Sequence, residues 1–435
     1  MPKEKFDAIV VGAGPAGTSA AYTMAKAGLS VLLLERGEYP GSKNVMGGVL
    51  YRQMMEDVIP GFWKEAPLER HIVEQRFWLL GPDSVTSVGH KNERFAQEPY
   101  NNFTVFRAKF DRWFAGKAQE AGALLVCETT ADDLIIEDGR VAGVRVERAN
   151  GELYADVVVI ADGVNSLLAK KAGLHVEIRP EHAALTVKEI LALPKEKIQD
   201  RFNLEGNQGA TIELAGDNTA GMVGMGFIYT NQETISIGVG ALVSELTRKG
   251  IKPYDLLDRM KSHPAVRSLI AGAEVKEYLA HLIPEGGRRA MPRIYGNGFL
   301  IAGDSAMLVN ALFREGSNMA MTSGRLAGET VIRAKERGDF SARALAGYER
   351  ALNDTFVLKD LGKLAGLPGF TESHPELFGA YPELVNEAAY QLALVDGASK
   401  GEKQKRIIDL IRAKTTWWNL ARTLWSGWKA VNSGR

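Results

Sequence analysis

A short glycine-rich stretch near the start of the chain constrains the fold more than any other part of the sequence. Residues 6–11 (FDAIVV) form an apolar run typical of a buried strand, and GAGPAG follows at once at 12–17. A helical stretch then extends to about residue 27, and a second apolar run at 29–34 ends in Glu35. Strand, GxGxxG turn, helix, strand and acid in this order predict a βαβ unit that binds a dinucleotide.

Each glycine of this turn has its own physical role. Gly12 permits the tight turn, Gly14 lets the backbone approach a pyrophosphate, and Gly17 lets the helix pack closely on the strand. The N-terminus of the helix presents free N–H groups to the phosphates. Glu35 lies 18 residues after Gly17, where its carboxylate can accept hydrogen bonds from ribose hydroxyls. The contact residues predicted here are Gly12, Gly14, Pro15, Ala16, Gly17, Glu35 and Arg36.

The fingerprint fits either NAD or FAD, and two later motifs decide between them. VVVIADGVNS at 157–166 is an apolar strand that ends in Asp162-Gly163, and GNGFLIAGDSAM at 296–307 ends in Gly303-Asp304. Together the motifs resemble the flavoproteins typified by aromatic hydroxylases and geranylgeranyl reductases. In that group the second aspartate holds the ribityl chain of FAD. The resemblance implies FAD, and it implies that Arg107, in VFRAKFDRWFAGKAQEAGA, lies beside it.

No second dinucleotide fingerprint is present in the sequence. GMVGMG at 221–226 and GVGALV at 238–243 sit inside alternating β patterns, where glycines typically mark sheet packing or bulges. The chain therefore has no predicted NADH domain, and electrons must reach the flavin from elsewhere.

A helix begins near residue 317, directly after REGS. Its N-terminus is expected to point at the N1–C2=O edge of the flavin, where the helix dipole stabilises the negative charge of the reduced form. Gly47 and Gly48, by analogy with the flavoprotein group, are expected close to the isoalloxazine ring. The predicted contacts at this helix are Gly316, Ser317, Asn318 and Met319.

The segment IPEGGRRAMPRIYGNGFLIAGDS at 283–305 is similar to the electron transfer flavoprotein:quinone oxidoreductases, which carry I-P-E-G-G…P before the FAD-binding strand. Residues 316–324 match the family pattern G-(S/T)-(N/H)-x-A-M-x-S-G. The resemblance covers nearly the whole chain and favours the FixC-type members, the FAD subunits of bifurcating complexes. It implies electron transfer from the α and β subunits of an NADH-fed electron transfer flavoprotein to a membrane quinone. No catalytic side chain and no metal site are predicted.

The chain contains one cysteine, Cys127. An all-cysteine iron–sulfur cluster needs four ligands, so this chain alone cannot build one. Single-chain members of the family end in a ferredoxin-like domain with cluster-ligating cysteines, which this sequence lacks. The resemblance therefore implies that a small, separate ferredoxin-like subunit of the FixX type carries the cluster.

The predicted architecture is α/β, with a Rossmann-like FAD-binding domain of the glutathione-reductase and aromatic-hydroxylase type. This domain is discontinuous and comprises residues 1–70, 100–180 and 285–345. An antiparallel β lobe for the quinone comprises 71–99 and 181–284, within which 245–280 is expected to be helical. Residues 346–435 are predicted to be a helical region that faces a membrane or a partner, interrupted by a loop at 366–383.

The end of the chain concentrates tryptophan and positive charge. Trp417, Trp418, Trp425 and Trp428 lie within a few turns, and residues 400–435 carry a net charge of +7 although the whole chain is neutral. Apolar residues recur at three- and four-residue steps apart from one gap at Lys414, which predicts one amphipathic helix lying in the membrane interface. Packing of this aromatic face on the chain's own core or on a partner is the alternative.

Composition and charge limit the possible partners and cellular locations of the protein. The net charge of zero argues against nucleic-acid binding. Only five residues precede the first strand and no apolar run approaches the ~20 residues needed to span a bilayer. We therefore expect a peripheral protein on the cytoplasmic side of the membrane. Rival functions are a geranylgeranyl-type lipid reductase, an aromatic monooxygenase, and an FAD-containing docking subunit.

Overall fold

The computed structural model describes residues 5–43, 48–148, 151–175, 177–310 and 312–432. The strands in these residues are β1 (Lys5–Val11), β2 (Val31–Leu34), β3 (Val49–Tyr51), β4 (Leu68–Leu80), β5 (Val85–Lys91), β6 (Asn102–Val105), β7 (Leu124–Val126), β8 (Ala131–Glu137), β9 (Arg140–Val146), β10 (Glu152–Ile160), β11 (Ala183–Ala192), β12 (Gln208–Gly216), β13 (Gly224–Thr230), β14 (Thr234–Leu242), β15 (Glu274–Pro284), β16 (Tyr295–Gly296) and β17 (Phe299–Ile301).

The helices follow the same chain order. They are α1 (Pro15–Lys26), α2 (Arg52–Glu56), α3 (Arg107–Glu120), α4 (Leu167–Lys171), α5 (Lys195–Phe202), α6 (Val243–Lys249), α7 (Pro253–Ser262), α8 (Pro264–Ile270), α9 (Ser317–Arg337), α10 (Ala342–Leu345), α11 (Gly347–Asp354), α12 (Phe356–Lys363), α13 (Leu367–Ser373), α14 (Ala380–Ala393), α15 (Lys400–Lys414) and α16 (Trp417–Val431).

The chain divides into two compact units. The first comprises Met1–Leu68, Asn101–His182 and Leu282–Gly362, and the second comprises Glu69–Tyr100, Ala183–His281 and Lys363–Arg435. The assignment of FAD to one predicted domain and of quinone to the other stays a prediction.

A parallel sheet forms the centre of the first unit. Its strand order is β7-β2-β1-β10-β17, with β16 added antiparallel at the β17 edge. Val11 pairs with both Leu34 and Ile160, and Ile160 pairs with Ile301, so the strands end at one common edge. Ligands of open α/β sheets bind at this carboxyl edge. The predicted α/β class is confirmed.

Helices α1 and α9 approach each other through small residues. A Cβ atom placed on Gly324 would overlap the carbonyl oxygen of Ala16, and one on Gly328 would lie 2.9 Å from Cβ of Thr23. The same order of contacts along both helices means that they run in the same direction. Since Ser317 lies seven residues before Gly324, α9 begins about 10 Å beyond the level of Ala16. Both helix N-termini therefore lie at the carboxyl edge of the sheet.

The second unit contains a largely antiparallel sheet in the order β15-β11-β14-β13-β12-β4, with β5 paired to β4. One face is apolar and includes Ile212, Ile228 and Ile237, which are fully buried together with Leu257 and Met260 of α7. This packing supplies the unit with a core of its own. The antiparallel lobe expected from the alternating patterns is confirmed.

Two local predictions are wrong. The helices expected over 245–280 end at Ile270, and β15 begins at Glu274 as a mostly exposed edge strand without an apolar alternation that could be recognised. The loop expected over 366–383 is largely helical, comprising α13 and the start of α14. Pro368 lies in the first turn of α13, where a helix loses nothing from the missing N–H.

The C-terminal segment forms two helices, so the prediction of one continuous amphipathic helix is wrong. The hydroxyl of Thr416 accepts the N–H of Asn419 at 3.1 Å and starts α16 anew. The large apolar side chains of α16 point outward, with exposed fractions of 55%, 85%, 59% and 58% for Trp417, Trp418, Trp425 and Trp428. Within the described residues, no helix combines the length and the apolar character needed to cross a bilayer.

Candidate cofactor-binding site

The turn between β1 and α1 has a backbone that glycine alone fits. Gly12 has φ of +100°, and a Cβ there would overlap the carbonyl oxygen of Ala161. Its N–H donates to the carbonyl of Leu34 at 2.8 Å. A Cβ on Gly17 would in turn overlap the carbonyl oxygen of Gly12. The turn therefore packs closely against two neighbouring strands and against its own helix.

Gly14 lies on the open side of the same turn. A Cβ on this residue would meet nothing within 4 Å, and Pro15 begins α1 directly after it. The first N–H groups of an α-helix have no partner within the helix and carry its positive dipole end. Open space beside these groups forms a cradle for a phosphate.

Glu35 is held beside this cradle by the backbone. Its Oε2 accepts the N–H of Ala13 at 3.1 Å, and its Oε1 accepts the N–H of Gly37 at 2.7 Å. Each carboxylate oxygen keeps a second lone pair for a ribose hydroxyl. Arg36 is exposed, and its positive charge acts on the carboxyl of Asp162.

A serine joins two motifs that lie far apart in the chain. The hydroxyl of Ser305 accepts the N–H of Gly163 at 2.8 Å and lies 2.9 Å from Oδ1 of Asp162, to which it donates. Oδ2 of Asp162 accepts the N–H of Leu168 at 3.1 Å. Burial raises the pKa of Asp162, and these hydrogen bonds oppose the shift. The sequence analysis missed Ser305, although it directly follows Asp304.

Asp304 and Arg107 are brought together at the same edge. Burial raises the pKa of Asp304 to about 6, and the charge of Arg107 opposes the rise. Arg107 itself forms a two-pronged, buried ion pair with Asp111, with nitrogen–oxygen distances of 2.8 and 2.7 Å. Asp111 was also missed, although an arginine and an aspartate four residues apart share one face of a helix. Gly303, with φ of +65°, packs against Ala16.

The N-terminus of α9 lies at this edge as well. Gly316 precedes the helix, and the hydroxyl of Ser317 donates to the carbonyl of Val49 at 3.3 Å. Asn318 and Met319 are buried, and Oδ1 of Asn318 has no hydrogen-bond partner in the described part of the chain. The carbonyl of the predicted contact Gly48 accepts the N–H of Val105 at 3.0 Å. Gly47 lies outside the described residues.

These residues fit FAD. The cradle at Gly14 suits the pyrophosphate, Glu35 suits the ribose, and the buried acceptor of Asn318 suits a ring N–H of the flavin. A buried polar atom without a partner is costly unless a ligand satisfies it. Asp162 and Asp304 follow the paired strands β10 and β17 at the same edge of the sheet. The predicted cofactor-binding residues within the described chain therefore gather along one edge of one sheet.

Comparison with known protein families gives two matches. Residues 7–257 match the FAD dependent oxidoreductase family, and residues 367–432 match the ETF-QO/FixC family C-terminal domain. Similar proteins include Protein FixC of Bradyrhizobium diazoefficiens, at 52% identity over 96% of this chain and 97% of that protein. Protein FixC of Azotobacter vinelandii is 50% identical over 98% and 99% of the two chains. Protein FixC of Escherichia coli K12 is 40% identical over 94% and 95%.

Solved structures share the fold at low sequence identity. A geranylgeranyl bacteriochlorophyll reductase-like protein of Thermoplasma acidophilum superposes with a TM-score of 0.73 at 20% identity, over 94% of this chain and 96% of that chain. The myxobacterial FAD-dependent chondrochloren halogenase CndH gives a TM-score of 0.63 at 19% identity, over 95% and 91%. Together with the family matches, these likenesses identify the cofactor of this chain as FAD.

Proposed function

The chain belongs to the FixC family of FAD-dependent oxidoreductases, and on that premise we propose that it passes electrons from an electron transfer flavoprotein to a membrane quinone. The observation that carries the proposal is identity of 40–52% to FixC proteins along almost the whole chain. The match of residues 367–432 to the ETF-QO/FixC C-terminal domain adds to it. The geranylgeranyl-type reductase shares the fold at 20% identity, which supports no common activity.

When bound, FAD supplies the two-electron chemistry of the reaction. The chain contributes binding and electrostatics. The dipole at the N-terminus of α9 would favour negative charge on a flavin bound there, an effect of about 0.3–1 kcal/mol that grows to ~2 kcal/mol where it is partly buried. The guanidinium of Arg107, fixed by Asp111, holds a positive charge next to Asp304.

The cysteine count supports a multi-subunit assembly. One cysteine, Cys127, leaves this chain without the ligands for an iron–sulfur cluster. The proposed partners are the α and β subunits of the electron transfer flavoprotein and a small ferredoxin-like subunit that carries the cluster. Electron bifurcation, where the assembly performs it, takes place on the flavins of the partner.

Attachment to the membrane surface is assigned to α16. The rings of Trp425 and Trp428 stack at a centroid distance of 5.3 Å, and the ammonium of Lys429 lies 5.3 Å from the Trp425 ring. Burying one such side chain in lipid contributes about 1.5–3 kcal/mol, and each basic residue near an anionic leaflet adds ~1 kcal/mol. The exposed aromatic surface and local positive charge support a peripheral protein on the cytoplasmic face.

A stopped-flow experiment tests the redox proposal. The purified protein, with its FAD photoreduced under anaerobic conditions, is mixed with a short-chain naphthoquinone, and the return of the oxidised flavin absorbance is followed. We expect fast reoxidation by the quinone and no reduction of the oxidised protein by NADPH. Rapid reduction by NADPH with indifference to quinone would instead favour a hydroxylase. A flavin unreactive toward quinone in the complete complex would leave only the docking role.

Point variants test the membrane proposal better than truncation, because α16 also packs on α13 through Gly427 and Phe370. Replacing both Trp418 and Trp425 by serine removes two exposed rings without opening the core. We expect sedimentation with anionic phosphatidylglycerol liposomes to weaken by about 100-fold or more, since two such side chains together contribute about 3–6 kcal/mol. The matched control is Tyr254→Ser, an exposed aromatic elsewhere in the same unit. Unchanged liposome binding would favour partner packing.

A further inference from the structure

Asn310 and Glu315 form a small bridge just before α9. The N–H of Glu315 donates to the carbonyl of Asn310 at 3.1 Å, and the N–H of Asn310 donates to the carbonyl of Glu315 at 2.9 Å. The two side chains are paired as well, since Nδ2 of Asn310 lies 3.5 Å from Oε2 of Glu315. Oδ1 of Asn310 accepts the N–H of Phe313 at 3.4 Å. These contacts hold the carboxyl of Glu315 in place beside the start of the helix.

The carboxyl of Glu315 lies beside Asn318, the second residue of α9. Burial and the charge of Asp360 raise the pKa of Glu315, and side-chain hydrogen bonds from Asn318 and Asn310 oppose this rise. A carboxylate only accepts hydrogen bonds, and an amide side chain donates only through its nitrogen. The amide nitrogen of Asn318, rather than its oxygen, is therefore the end that faces Glu315.

The other end of this amide is left without a partner. Asn318 is only 2% exposed, and its Oδ1 accepts no hydrogen bond within the ranges of the chain that the structure covers. A negatively charged carboxylate attracts Nδ2 and repels Oδ1, so Glu315 determines which end of the amide is turned away from it. A buried acceptor kept free in this way is unfavourable until a donor binds to it.

The backbone next to this amide offers hydrogen-bond donors. The N–H of Ala320 donates to the carbonyl of Gly316 at 2.8 Å, so the N–H groups of residues 317–319 come before the first hydrogen bond within α9. Such N–H groups bind anions and carbonyl oxygens. The pyrimidine ring of a flavin carries a carbonyl, C2=O, directly next to a ring donor, N3–H. Backbone donors beside the acceptor of Asn318 match this edge of the ring.

We propose that Glu315 is a positioning residue for FAD, which holds Nδ2 of Asn318 and thereby leaves Oδ1 to accept the N3–H of the flavin. Glu315 itself touches no atom of the cofactor. Without it the planar amide of Asn318 can turn over, which would set a donor against a donor. The inference concerns how the oxidised cofactor is held, so it does not depend on quinone as the electron acceptor.

The test uses the full-length protein loaded with ¹⁵N-labelled FAD. Glu315→Ala removes the acceptor, Glu315→Gln keeps an acceptor oxygen without the charge, and Asp360→Asn removes a neighbouring charge while leaving Glu315 in place. In a proton–nitrogen correlation spectrum we expect a low-field N3–H resonance in wild type, Glu315→Gln and Asp360→Asn. In Glu315→Ala it should move to higher field or disappear by exchange with water. An unchanged resonance in Glu315→Ala, or the same change in Asp360→Asn, would overturn the inference.

A double-mutant cycle separates positioning from a general effect on folding. We expect Glu315→Ala to weaken FAD binding to the apoprotein by about 3- to 10-fold, the effect of one hydrogen bond, as measured by flavin fluorescence quenching. Asn318→Ala removes the amide itself, so adding Glu315→Ala to it should weaken binding no further. Losses that multiply in the double variant would show that Glu315 acts independently of Asn318 and would refute the inference. So would equal losses in Glu315→Gln and Glu315→Ala.

Discussion

The environment of Glu285 makes the stability of this protein depend on pH in a calculable way. An ordinary glutamate has a pKa of 4.5, whereas burial raises that of Glu285 to about 8. Between these values the unfolded chain releases its proton and the folded chain keeps it, so the folded state loses stability as pH rises. Below pH 4.5 both states are protonated, and above pH 8 both are ionised. Glu285→Gln removes this dependence.

The size of the effect follows from linkage. Each pH unit inside the window changes the free energy of unfolding by about 1.4 kcal/mol. The full window therefore corresponds to about 5 kcal/mol, and roughly 3 kcal/mol is already lost at pH 7. With an unfolding entropy of about 2.1 cal/mol/K per residue, the chain of 435 residues gives a Tm change of about 4 °C at pH 7.

Thermal unfolding of the FAD-loaded protein, followed by the release of flavin fluorescence, measures this difference. The Tm of Glu285→Gln minus that of wild type should be near its minimum at pH 5 and rise steadily to pH 8. Glu181→Gln, which removes an acid that is paired with Arg179 and whose pKa is lowered, should show no such rise. A difference that stays constant across the whole pH range would mean that Glu285 ionises normally and that burial does not raise its pKa.

Three further substitutions test the cofactor site. Gly324→Ala places a Cβ against the backbone of α1, so flavin absorbance per purified chain should fall at least tenfold, whereas Gly362→Ala, which meets open space, should retain FAD. Arg107→Leu leaves the buried carboxyl of Asp111 without its partner and should reduce the free energy of unfolding in urea by about 3–5 kcal/mol. In wild type, FAD binding to the apoprotein should weaken below about pH 6, where Asp304 takes up a proton. Asp304→Asn should bind FAD without this pH dependence, and flavin fluorescence quenching measures both proteins.

The features that sequence alone predicts are those encoded within short stretches. The βαβ unit around Gly12 and Gly17 needs only a strand, a tight turn and a helix in succession, and each leaves a local pattern. The antiparallel lobe likewise follows from period-two alternation. These patterns were sufficient for the α/β class. FAD and the family followed from the resemblance of the motifs at 157–166, 283–307 and 316–324 to known flavoproteins.

Other features depend on contacts that no local pattern encodes. Ser305 forms a hydrogen bond with Asp162 across 143 positions of the chain, and neither motif indicates that the other is its partner. The burial that raises the pKa of Glu285 comes from residues elsewhere in the chain, so the sequence shows the motif IPEGG but not the protonation state of its acid. The break at Thr416 was missed because apolar residues recur on both sides of it and the one gap in their spacing, at Lys414, was not taken as a helix end, although a threonine is a good N-cap.

Concentrating four of the seven tryptophans on α16 has a spectroscopic consequence. The emission of indole moves to shorter wavelength when the ring leaves water, and these four rings are more than half exposed in the free protein. More than half of the tryptophans therefore lie on a single helix near the C-terminus of the chain. When lipid or a partner protein covers that helix, its tryptophan emission should shift. Binding can therefore be followed by intrinsic fluorescence, without any label.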